Sequence, residues 1–169
     1  MKLSKRKAMI YIVIGQSGSG KTTFCKEKII KPPFETRKDK TKLTECGNGI
    51  VAIGEYGIGR RCEGTDTLPY NAQESIIEQV KELVEAGKDV LIEGDRITSN
   101  SVMEKIKTIN TQKKMYLVIC SLKTSMERLK RAGSKITPTF VKTTKTKSKR
   151  IYMEYSREFN GEIINTEEL

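Results

Sequence analysis

A chain of 169 residues that sets 32 lysines and arginines against 21 acidic residues has a formal charge of +11, and it contains no histidine. That length fits one domain spanning residues 1–169, large enough to close a packed core, while the missing histidine excludes any mechanism built on an imidazole base or metal ligand. The basic excess suits a polyanionic partner, with DNA foremost, although a merely soluble basic surface is the plain alternative.

At the start of the chain, Lys2, Lys5, Arg6 and Lys7 precede the apolar run Ala8 to Ile14, a layout superficially like a secretion signal. The run passes directly into Gly15-Gln16-Ser17-Gly18, however, and is better explained as a strand buried on both faces. No stretch approaches the ~18 apolar residues of a membrane span, so the expected location is the cell interior. Lys21 to Ile30 then predicts a helix ended by Pro32 and Pro33. Residues 34–48, highly charged and weakly periodic, are expected to be loop or irregular structure. A short strand is expected at Ile50 to Ile53, followed by a glycine-rich loop from Gly54 to Gly64.

Three capping boxes are expected to open helices, at Asn71 to Glu74, Ser101 to Glu104 and Thr124 to Glu127. Buried strands are expected at Val90 to Ile92 and Met115 to Cys120, and a last strand at Glu162 to Asn165. Residues 142–150 hold no large apolar side chain and are expected to stay out of the core, with helical spacing resuming at Ile151, Tyr152, Tyr155 and Phe159. Strands alternating with helices predict an α/β fold with a parallel sheet of about five strands, covered on both faces. The four cysteines, Cys25, Cys46, Cys62 and Cys120, lie far apart with no C-x-x-C pair, and are expected to be reduced thiols rather than zinc ligands.

Gly15-Gln16-Ser17-Gly18-Ser19-Gly20-Lys21-Thr22 matches G-x-x-x-x-G-K-[ST] at every fixed position. Glycines let the backbone turn with positive φ and bring its N–H groups against phosphates, and the following helix offers its unpaired amides and positive end. In this pattern Lys21 reaches the β- and γ-phosphates of ATP and the Thr22 hydroxyl ligates magnesium, with Thr23 supporting the α-phosphate. A strand before the motif and a helix after it supply the context that the chemistry requires.

With that loop, the short length, Val90 to Arg96 (VLIEGDR) and Tyr116 to Gly133 (YLVICSLKTSMERLKRAG), the chain resembles the small P-loop kinases. These are the superfamily of nucleoside monophosphate, shikimate, gluconate and polynucleotide kinases. The resemblance implies a P-loop NTPase-type sheet, ATP and Mg2+ as cofactors, and a small lid beginning near residue 121. Gly59 to Gln73 (GRRCEGTDTLPYNAQ) resembles the phage-encoded kinases that phosphorylate 5-hydroxymethyluracil in DNA. That likeness implies a base hydroxymethyl group in duplex DNA as acceptor, and the host cytoplasm as location.

Phosphoryl transfer asks for charge stabilisation and for a group that orients or deprotonates the acceptor hydroxyl. Asp66, in the loop after the second expected strand, is the candidate base; the plain alternative is a cap on the turn before Leu68-Pro69. Glu93 and Asp95, at the carboxyl end of the third, are candidates to hold magnesium through water, or to pair with Arg96. Arg128 and Arg131 are candidates to neutralise the moving phosphoryl group, unless they only solvate a helix face. Arg60 and Arg61 are candidates for acceptor phosphates.

From Ser121 to Arg150 the chain carries Lys123, Arg128, Lys130, Arg131, Lys135, Lys142, Lys145, Lys147, Lys149 and Arg150 against the single acid Glu127. A single aromatic, Phe140, lies among them, short of the interleaved aromatics of a single-strand stacking platform, which leaves a DNA backbone or plain solvation. A nucleotide hydrolase using Glu93 to orient water, and a nucleotide-dependent DNA-binding module, remain competing readings.

Overall fold

The computed structural model describes residues 6–57, 59 and 62–168. A seven-stranded sheet organises the chain, in the order β2-β3-β4-β5-β1-β6-β7. The strands are β1 (Met9–Gly15), β2 (Phe34–Lys38), β3 (Lys42–Cys46), β4 (Val51–Ile53), β5 (Val90–Glu93), β6 (Gln112–Ile119) and β7 (Gly161–Asn165). The helices are α1 (Lys21–Lys28), α2 (Gln73–Glu85), α3 (Asn100–Lys107), α4 (Leu122–Arg131) and α5 (Pro138–Tyr155). The five expected strands are β1, β4, β5, β6 and β7, and all of them run parallel.

The two extra strands correct the expectation for residues 34–48. Phe34–Lys38 and Lys42–Cys46 form an antiparallel hairpin that extends the sheet beyond β4. Its charges mark an outer strand whose side chains all meet solvent or lie half-buried, while Leu43, Thr44 and Cys46 of β3 turn inward. Charged side chains are a common protection for an exposed sheet edge, and they erased the apolar alternation that a strand usually shows.

The inner strands alternate between two apolar layers. Ile10, Ile12 and Ile14 of β1, Val90 and Ile92 of β5, and Met115 and Leu117 of β6 join Ile76, Val80, Val102, Ile106, Ile151 and Tyr155 on one face. Val13, Leu91 and Val118 meet Phe24, Cys25, Ile30 and Tyr56 on the other. The last four residues of β1 are therefore buried on both faces, and the turn that follows it is held on a rigid base.

Helix starts differ from the expected capping boxes. Ser99 and Ser121 cap α3 and α4, accepting hydrogen bonds from the amides of Val102 and Thr124, so both helices begin earlier than Ser101 and Thr124. α2 begins after Ala72 with no side-chain cap. Residues 142–150 also depart from expectation: they belong to one continuous α5, where Thr144 and Ser148 are buried in a stripe with Val141, Ile151 and Tyr155. Their hydroxyls bond back to the helix carbonyls, Thr144 to Val141 at 2.9 Å and Ser148 to Thr144 at 2.8 Å. Small side chains that satisfy themselves this way enter a core without being apolar. The segment expected as a lid thus consists of α4 and α5, joined by a link over 132–137, with α5 packed on β1 and β6.

No helix among the described residues is long and apolar enough to cross a membrane. All four cysteines are unpaired.

Candidate functional site: the phosphate loop and the ends of β4 and β5

Residues 15–20 leave β1 inside the sheet, between β5 and β6, and turn into α1. Gly18 and Gly20 take φ of 76° and 93°, left-handed values that a side chain would strain, and a β-carbon on Gly18 would lie 2.8 Å from the Ser125 carbonyl. The amides of Gly18, Gly20, Lys21, Thr22 and Thr23 have no partner among the described residues, as expected for the first turn of a helix. Lys21 curls back over this turn, its Nζ donating to the carbonyls of Gly15 and Gln16 at 3.1 and 3.0 Å. Free amides, a helix N-terminus and one ammonium group therefore share a concave turn, the arrangement that cradles phosphate.

Two loop positions turn away from that concavity. Gln16, only 1% exposed, fastens the loop from behind, its Nε2 donating to Cys120 O at 2.9 Å and Ser125 Oγ at 2.8 Å. Ser17 donates its amide to Thr144 Oγ1 of α5 at 3.0 Å, and the Ser19 amide bonds Gln16 O at 3.1 Å.

Strand register brings the first carboxylate to the loop. Val13 pairs with Glu93, so the end of β5 lies alongside the last residues of β1. Glu93 is 2% exposed, and it accepts from Thr22 Oγ1 at 2.7 Å and from the Tyr56 hydroxyl. Burial pushes its carboxyl above the ordinary range, against the two hydrogen bonds and Lys21, while Asp66 adds to the rise. Gly64, with φ of 73°, makes this approach possible: a β-carbon there would stand 2.7 Å from the Tyr56 hydroxyl and 3.0 Å from Glu93 Oε2.

Asp66 lies in the short helical turn Thr65–Thr67, beside the end of β5. Its Oδ1 accepts from the amides of Asp95 at 3.0 Å and Arg96 at 3.4 Å, and Arg96 Nη1 is 3.9 Å away. The turn that it caps is the one at Asp95–Ile97 rather than its own chain before Leu68-Pro69. Thr65 Oγ1 donates to the Glu93 carbonyl at 2.5 Å, locking the two loops together. Asp95 itself points elsewhere, its Oδ1 ion-paired with Lys147 of α5 at 2.8 Å.

The two arginines of α4 differ. Arg128 reaches under the phosphate loop: its Nη1 donates to Ser19 O at 3.0 Å and Thr166 Oγ1 at 2.8 Å, and its Nη2 to Thr166 O at 2.9 Å. It ties the loop to the turn after β7 instead of standing free over the cleft. Arg131 is exposed at the end of α4, with no ion pair among the described residues. Arg60 and Arg61 lie outside the described residues.

Sequence reasoning missed Tyr56, Thr65, Thr144 and Thr166 as parts of the site. It placed Lys147 only in the basic run. Their residue types carry no local signal, and only the packing of distant segments gives them a role.

Thr22 and Glu93 suit magnesium, a hard ion that accepts a few protein oxygens and keeps water and phosphate for the rest. No group of three or more acidic or cysteine side chains able to hold a metal occurs among the described residues, so those other ligands would dominate. Asp95 is committed to Lys147.

No protein-family model matches the chain, and no curated protein does. Among solved structures, deoxyadenosine kinase from M. mycoides with the products dCMP and a flexible dCDP is similar at 11% identity and a TM-score of 0.47, over 92% of this chain and 89% of that one. The same enzyme with bound dCTP gives 14% identity and 0.45, over 93% and 90%. With bound dATP the values are 12% and 0.45, over 93% and 91%. Likeness at that level carries no conclusion about activity, which must come from the site itself.

Proposed function

We propose that this protein is an ATP-dependent kinase acting on a hydroxyl of a nucleic acid, with the hydroxymethyl group of 5-hydroxymethyluracil in DNA as the leading acceptor. The observation that carries the reading is Lys21 folded over a turn of unpartnered amides, with the Thr22–Glu93 pair at its mouth. In this reading Lys21 and the amides of Gly18 and Gly20 to Thr23 grip the triphosphate, and Lys21 exchanges two carbonyls for phosphate oxygens. Thr22, and Glu93 directly or through water, would hold magnesium, which would neutralise the developing charge. Asp66, fixed by the amides of Asp95 and Arg96, takes the proton of the acceptor hydroxyl as the hydroxyl oxygen bonds the γ-phosphorus and ADP departs. Arg128 acts as a positioning residue that braces the loop. Lys147 is the cation of the basic arm that lies nearest the carboxylates.

The DNA acceptor is supported by the local likeness around Asp66 and by the basic face of α4 and α5. A nucleoside, nucleotide or polynucleotide end is the second reading, since the same cleft asks only for a hydroxyl.

ATP labelled in its γ-phosphate, offered with hydroxymethylated DNA, unmodified DNA, nucleosides and water alone, tests the proposal. Label entering hydroxymethylated DNA alone is the expected result, and label released as free phosphate without any acceptor points to a hydrolase. ATP left intact throughout overturns the enzyme reading. Asp66→Asn should slow transfer by about 100-fold or more if it is the base.

A further inference from the structure

Tyr70 is 84% exposed, yet one face of its ring is covered. The guanidinium carbon of Arg96 lies 3.7 Å from the ring centroid, a close cation–π contact. Arg96 is in turn held from three sides. Its Nε donates to Leu68 O at 3.3 Å, its own carbonyl accepts from Gln73 Nε2 at 3.1 Å, and its Nη1 lies 3.9 Å from Asp66 Oδ1. Leu68, between Asp66 and Tyr70, is buried and pins the chain to the body. A fixed guanidinium thus backs a phenol ring, presents the opposite face to water, and touches the candidate catalytic carboxylate with the same side chain.

Packing gives no account of that open face, because the ring contributes to neither apolar layer. A flat aromatic surface of this kind, backed by a cation and placed beside the hydroxyl-activating group, matches one ligand chemistry well: the π-face of a nucleobase. We infer that the exposed face of Tyr70 stacks the base of the phosphate acceptor, with Arg96 stiffening the platform and joining it to Asp66. The inference rests on the proposed kinase reading for the word acceptor, and it narrows that reading to substrates that carry a base.

The chain contains no tryptophan, so Tyr70→Trp introduces a single fluorophore at the platform. It would be titrated with free deoxynucleosides, a hydroxymethylated oligonucleotide, and an abasic oligonucleotide of equal length. Saturable quenching by base-bearing ligands and none by the abasic strand is the expected result, and whichever of the first two saturates at lower concentration identifies the source of the base. Equal quenching by the abasic strand, or no quenching at all, overturns the platform. Steady-state kinetics give a second readout. Tyr70→Ala should raise the acceptor KM by about tenfold or more and leave the KM for ATP in place, and Tyr70→Phe should recover most of the loss. Label transfer by the parent protein separates the two ideas. Transfer without base-dependent quenching retains the kinase and removes the platform, whereas quenching without transfer retains a base-binding site and removes the kinase.

Discussion

Glu93 is where solvent exclusion and charge oppose each other most directly in this molecule. Burial lifts its carboxyl above the ordinary 4.5, while Tyr56, Thr22 and Lys21 pull the other way. In the metal-free protein the folded chain therefore holds this proton more tightly than the unfolded chain does. Stability from this group is full below the ordinary carboxylate value and falls as pH rises through the raised one. Urea midpoints across that window should show the decline in the parent and lose it in Glu93→Gln. Under the proposed kinase reading the same variant should transfer phosphate about 10–100-fold more slowly, because the side chain that would hold magnesium beside Thr22 loses its charge. The glycine turn after β1 was legible in the sequence because its shape is set by backbone and glycine, whose spacing is written locally. Arg128 was legible as a cation but not as a brace, since its partners Ser19 and Thr166 lie far away along the chain.

Among the elements, α5 shows most clearly why the rest was not legible. Its buried stripe runs through Thr144 and Ser148, and a search for apolar periodicity passes over both. The stripe exists because hydroxyls bonded to their own helix need no outside partner, yet Thr144 Oγ1 also accepts the Ser17 amide at 3.0 Å. Thr144→Val keeps the shape and removes that acceptor, and should lower stability by about 1 kcal/mol, read as a shift in the urea midpoint at constant slope. The β2–β3 hairpin was hidden for a different reason: an outer strand covered in Glu35, Arg37 and Lys38 has the composition of a loop. The inner parallel strands were plain, because a strand buried on both faces leaves an unbroken apolar run.

At the scale of the whole molecule, the structure divides the basic run that the sequence presents as one block. Arg128 and Lys147 are drawn inward to the site, whereas Lys123, Lys130, Arg131, Lys135, Lys142, Lys145, Lys149 and Arg150 are exposed. If those exposed residues grip about five duplex phosphates, log affinity for DNA should fall against log salt with a slope of about −4.5. A flat response in such a titration would take DNA out of the reading and leave a small-molecule acceptor.

The clamp made by Arg128 and Thr166 also joins the loop after β1, the proposed nucleotide site, to the outermost parallel strand. Thr166 follows β7 directly, and its hydroxyl and carbonyl share one guanidinium with the loop carbonyl of Ser19. Opening of that strand must therefore loosen the loop, and filling the loop must oppose the opening. Amide deuterium uptake along Gly161–Asn165 should slow when a non-hydrolysable triphosphate is added. The opposite border of the sheet, Phe34–Lys38, has no such rivet and should exchange at an unchanged rate.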